Sequence, residues 1–68
     1  MEWKIEEVNE FGFPYSWITG YINDKNGTVE KIGYRKYLWW VHSKYTCLSY
    51  GEETTEQKAK RAAEKVMS

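Results

Sequence analysis

A chain of 68 residues has room for one core and one domain, because at this length folding removes only about 60% of the surface that the unfolded chain exposes. Four Trp, six Tyr and two Phe are more than such a core needs, so some aromatic rings must reach the surface. A formal net charge of zero argues against gripping nucleic acid by bulk electrostatics alone; the single cysteine excludes an internal disulfide, and with one histidine there is no ligand set for structural zinc.

Met1 is followed by Glu2, Trp3 and Lys4 rather than by a basic region and a hydrophobic run, and no apolar stretch approaches a membrane span. The chain therefore reads as cytoplasmic, with no membrane, metal or cofactor expected. Charge is unevenly placed. Residues 1–30 carry Glu2, Glu6, Glu7, Glu10, Asp24 and Glu30 against Lys4 and Lys25, whereas residues 31–68 are basic on balance. One half would steer a polyanion and the other repel it, although a small domain also needs a mixed charged surface for its own sake.

Residues 2–8 alternate well enough for a strand, with Trp3 and Ile5 on one side and Lys4 and Glu6 on the other, until Val8 breaks the phase. Its charges suit a sheet edge. Asn9 to Pro14 reads as a connection, with Phe11 and Phe13 tucked over the rim of the core. Residues 15–22 form the second strand, interrupted by Gly20. The run Asn23-Asp24-Lys25-Asn26-Gly27 is a turn signal, and Asn26-Gly27 suits a type I′ loop that would set Tyr21 opposite Ile32 and Thr19 opposite Tyr34. A strand over 28–34 follows, with a break expected between Gly33 and Lys36.

Tyr37 to Tyr50 is apolar on both alternation phases and divided by Ser43 and Lys44, which predicts a hairpin of strands 37–42 and 45–50. A loop at Ser43-Lys44 would pair Tyr37 with Tyr50, Trp39 with Leu48 and Val41 with Thr46. The other face would hold Leu38, Trp40, His42, Tyr45, Cys47 and Ser49. The helix, over 55–67, is the best-defined element: Thr54 is placed to cap it, Gln57 to close a capping box, and Ala59, Ala62, Ala63, Val66 and Met67 form one stripe. The fold expected is α+β, an antiparallel sheet of three to five strands packed against one C-terminal helix, in one domain over 1–68. One helix covers one sheet face, so the pattern leaves an exposed aromatic patch or a face that a second protein covers.

The segment TTEQKAKRAAEKVM is similar to the closing helix of double-stranded RNA-binding domains, which commonly begins Ser/Thr-Lys-Lys-x-Ala-Lys-x-x-Ala-Ala; Thr55, Ala59, Lys60, Ala62 and Ala63 match. The two lysines that reach phosphates at the start of that family's helix fall on Glu56 and Gln57, and the family's first helix has no counterpart. Tyr37 to Met67 also resembles small modules of an antiparallel sheet and one C-terminal helix: the arm-type DNA-binding domains of mobile-element integrases and short phage accessory proteins. In the integrase arm domains the sheet face away from the helix enters the major groove, which by position implies Arg35, Lys36, His42 and Lys44. The resemblance implies a phage or mobile-element accessory protein.

Catalysis is disfavoured. Cys47 and His42 share a face but are not directly opposite in the expected register, and nothing supplies an orienting group or an oxyanion site. Glu52, Glu53 and Glu56 read as a solvated turn and helix-dipole partners. Two functions remain. The favoured one is a non-enzymatic protein-interaction module that docks on a partner, or dimerises, through Leu38, Trp40, His42, Tyr45 and Cys47. The alternative is a nucleic-acid-binding module with Arg35, Lys36, Lys44, Lys60 and Arg61 on phosphates, and Tyr45 or Trp40 stacking on bases.

Overall fold

The computed structural model describes residues 2–10 and 13–68, which form five antiparallel strands and then one helix: β1 (Trp3–Glu10), β2 (Phe13–Ile22), β3 (Lys25–Gly33), β4 (Lys36–His42), β5 (Cys47–Glu53) and α1 (Glu56–Met67). The strands stand in chain order across one sheet. The expected α+β architecture is the one found, with five strands. β1 runs through Val8 without a break, its residues pairing with β2 from Trp3 opposite Gly20 to Glu10 opposite Phe13. The expectation that Phe11 and Phe13 tuck over the core rim lies outside the described residues and side chains.

The helix forms where its periodicity placed it. Its cap is Thr55 rather than Thr54: the Thr55 hydroxyl accepts the Lys58 N–H at 3.2 Å, which puts Lys58, not Gln57, at the third helical position and removes the expected capping box. Glu56 in the first turn and Lys65 in the last complement the helix dipole, and Lys60 pairs with Glu56 at 3.1 Å. Ala59, Ala63 and Met67 are buried against Val29, Trp39 and Val41 of the sheet, with Ala62, Val66, Trp3, Ile18, Ile22 and Tyr37 packed around them. Alanines bring the helix backbone close to a sheet whose own side chains are large, so the two surfaces have complementary volumes. Trp3 adds a tie from the far edge, its Nε1–H donating to Glu64 Oε1 at 2.7 Å.

Two registers differ from those expected. The β2–β3 loop is Asn23-Asp24, not Asn26-Gly27: Ile22 pairs with Lys25, Tyr21 with Asn26 and Thr19 with Thr28. Asn23 takes the left-handed conformation, with φ 57°. Gly27 is withdrawn into the sheet because a β-carbon there would lie 2.6 Å from Met67 Cε and 3.3 Å from Trp3 Cη2. It is a close-approach glycine, not a turn glycine.

In the last hairpin Trp39 pairs with Gly51 rather than Leu48, Tyr37 with Glu53 rather than Tyr50, and Val41 with Ser49 rather than Thr46. The loop is longer than Ser43-Lys44, closed by the Ser43 N–H donating to the Thr46 carbonyl at 2.8 Å, with an irregularity between Val41 and His42. The physical reason is again a glycine: the Trp39 indole occupies the space over residue 51, which only a residue without a β-carbon leaves open. A shift of odd length exchanges the faces of β5. Ser49 turns to the helix side, Tyr50 to the other, and Leu48, expected in the core beside Trp39, is exposed. The break expected at Gly33–Lys36 is present as a Tyr34-Arg35 loop with a register shift between Lys31 and Gly33, and Arg35 has φ 54°.

Candidate interaction face

The sheet face turned away from α1 can be built row by row from the registers, since paired residues point the same way. Thr19, Thr28, Trp40 and Tyr50 form one row across β2 to β5. Below it Glu30, Leu38 and Glu52 are level, and Trp17 follows on β2 where the pairing with β3 ends at Ile18 and Val29. Above it Tyr21, Asn26 and His42 are level, with Cys47 opposite His42. Trp17, Leu38, Trp40 and His42 are half-buried, while Tyr21 and Tyr50 are 67% and 75% exposed. None of them is covered by another element of the described chain.

The centre of this face is held by hydrogen bonds rather than by a second layer. Thr19 and Thr28 are buried beneath the larger side chains around them. The Asn26 amide donates to Thr19 Oγ1 at 2.6 Å and to the Gly20 carbonyl at 3.0 Å, and the Thr19 hydroxyl reaches the Gly27 carbonyl at 3.3 Å. This network ties the short side chains beneath the aromatic ones to the backbone of β2 and β3.

The same face carries Glu6, Glu30 and Glu52, and Glu2 joins Lys4, Glu6, Thr19 and Tyr21 around a shallow depression of about 300 Å³. Against these four carboxylates it has Lys4, with Lys36 at one rim where β4 begins and Lys44 and Asp24 at the other, beside Tyr21, Asn26 and His42. Among the described residues the only ion pair within 4 Å is Lys60 with Glu56, on the helix, so these carboxylates have no salt-bridge partner there.

The five residues expected to form an interface separate into three places. Leu38, Trp40 and His42 lie on the open face, Cys47 is exposed at the edge opposite His42, and Tyr45 stands in the β4–β5 loop with the Lys44 ammonium 5.4 Å from its ring centre. Trp17, Tyr21 and Tyr50 complete the face and were not assigned to it from sequence. The five basic candidates are not brought together. Arg35 and Lys36 sit at one end of β4, Lys44 just beyond its other end, and Lys60 and Arg61 on α1, where Lys60 is already paired.

His42 and Cys47 prove to be direct cross-strand partners, contrary to the expected register, yet no hydrogen bond joins their side chains; the thiol faces the Ser49 carbonyl at 4.0 Å. Among the described residues no group of three His, Cys, Asp or Glu is placed to hold a metal ion, and no helix is long and apolar enough to cross a membrane. A crevice of about 220 Å³ opens on the helix side between Ile5, Trp17, Ile18, Val29, Tyr37 and Glu56. No protein-family model, curated protein or solved structure matches the chain.

Proposed function

We propose that this chain is a non-enzymatic protein-interaction module, an accessory protein of the phage or mobile-element type, that docks on a partner through the open aromatic face of its sheet. The observation that carries the reading is the row of Trp40 and Tyr50 over the buried Thr19 and Thr28, flanked by Trp17, Leu38 and Tyr21. Trp and Tyr supply large contact area at low entropic cost, and they are the residues on which binding energy concentrates in protein interfaces. The scattered basic residues and the carboxylates of the open face favour this reading over the nucleic-acid alternative.

Panning a random-peptide library on the wild type, with counter-selection on folded Trp40→Ala, tests it. Duplex DNA, duplex RNA and single strands are measured in parallel at about 0.05 and 0.2 M salt, with Arg35→Ala/Lys36→Ala beside the wild type. Peptide ligands that need Trp40 are expected, with no steeply salt-dependent nucleic-acid binding. Micromolar nucleic-acid binding that falls steeply with salt and is lost in R35A/K36A, with no Trp40-dependent peptide recovered, would establish the alternative instead.

A further inference from the structure

We infer that the segment docked on the open face is arginine-bearing and belongs to a different protein, its guanidinium groups lying against Trp40 and reaching Glu30 and Glu52. This rests on the docking reading above and adds the partner's chemistry.

Glu30 is on the central strand, half-buried and opposite Leu38; Glu52, exposed, lies opposite Leu38 from the β5 side. Leu38 is thus flanked by a carboxylate on each neighbouring strand, and Trp40 is the diagonal neighbour of both, within about 7–8 Å by strand geometry. Neither carboxylate has a basic partner within 4 Å among the described residues. A half-buried carboxylate beside aromatic rings is where an incoming cation gains most, because the surroundings screen the attraction less than bulk water does. Arginine meets this arrangement better than lysine: its planar group stacks on an indole while its edge donates two parallel hydrogen bonds to a carboxylate, and it is more weakly hydrated.

The same charges argue against a second copy. Face-to-face pairing would press Glu2, Glu6, Asp24, Glu30 and Glu52 against an identical set, with Lys4 and the rim residues Lys36 and Lys44 too few to balance them. The exposed side of α1 offers Lys58, Arg61 and Lys65 but no large apolar side chain to cover the rings, and such a head-to-tail contact would build a ring or an open filament rather than a two-fold dimer.

The test is an NMR titration of the isotope-labelled chain with three synthetic nonapeptides that share two Leu and one Trp and differ in whether three positions are Arg, Lys or Glu. The Arg peptide is expected to move the amides of Thr28, Leu38 and Trp40 and the indole N–H of Trp40, with an affinity about tenfold above that of the Glu peptide. Glu30→Gln and Glu52→Gln should each weaken the Arg peptide about fivefold without weakening the Glu peptide. Equal or tighter binding of the Glu peptide, indifference of the Arg peptide to both substitutions, or no shifts with any peptide at about 2 mM would overturn the inference. Trp40-dependent ligands lacking arginine from the panning would leave the docking surface standing while this inference falls; absence of any Trp40-dependent ligand removes both.

Discussion

The Trp39 indole lies directly over Gly51: a β-carbon at position 51 would fall 2.8 Å from Trp39 Nε1 and 2.9 Å from Cε2 and Cζ2. That contact sets the register of β5, and the ring can hardly retreat, because Trp39 is 8% exposed and packed in the core with Val29, Val41 and the alanines of α1. Gly51→Ala should therefore destabilise the fold by about 1–3 kcal/mol through overpacking. Gly27 provides the comparison. Its nearest obstacles are Met67 Cε at 2.6 Å and Sδ at 3.0 Å, the flexible end of a thioether, so Gly27→Ala should cost less. Urea unfolding of both variants checks this; a smaller loss for G51A than for G27A would contradict the rigid indole contact.

Trp39 and Trp40 are adjacent in sequence and opposite in role. Trp39 packs with Val29, Val41 and the alanines of α1, so Trp39→Ala should cost about 3–5 kcal/mol, most of what a domain of this size has. Trp40 is half-buried on the open face, and Trp40→Ala should remain cooperatively folded, with a loss nearer about 1 kcal/mol. Thermal unfolding followed by near-UV circular dichroism distinguishes the two. An unfolded W40A beside a cooperative W39A would mean the faces are assigned the wrong way round.

What the sequence makes legible follows from how local each signal is. The helix declares itself through its own alanine spacing, and the opposite faces of Trp39 and Trp40 follow from alternation within one strand. Registers are not local. Asn23 to Gly27 holds two turn solutions, and the choice between them is made by Met67 and Trp3, which need the space beside Gly27. Gly51 looks like punctuation before a helix, but its role is to lie under a ring twelve residues away in sequence. Leu38, Trp40 and His42 were therefore placed on the open face from sequence alone, whereas Tyr50 and Glu52 reach it only through the three-residue shift of β5.

Asn26 holds the open face together through its amide donors. Asn26→Asp keeps the shape but turns donors into acceptors facing Thr19 Oγ1 and the Gly20 carbonyl, leaving buried polar atoms unsatisfied. A loss of about 1–3 kcal/mol is expected, together with faster amide exchange at Gly20 and Gly27. Stability equal to wild type in N26D would show that the network does not hold the face together.

The helix start offers a comparison between two adjacent threonines. The Thr55 hydroxyl accepts the Lys58 N–H at 3.2 Å, and the Thr55 carbonyl takes the Ala59 N–H at 3.1 Å, so Thr55 supplies both the cap and the first helical acceptor. Thr54 is exposed, and its side chain makes no hydrogen bond among the described residues. Replacing Thr55 by alanine removes the cap and orphans a donor in the first turn, while replacing Thr54 removes no such contact. Thr55→Ala should then cost about 1 kcal/mol, and Thr54→Ala should fall within about 0.5 kcal/mol of wild type. Because α1 is packed across β3, β4 and β5, the loss at Thr55 should appear in global unfolding rather than as fraying alone. Urea midpoints for the two variants, at unchanged slope, measure it; a larger loss at Thr54 would move the cap back by one residue and restore Gln57 to the third helical position.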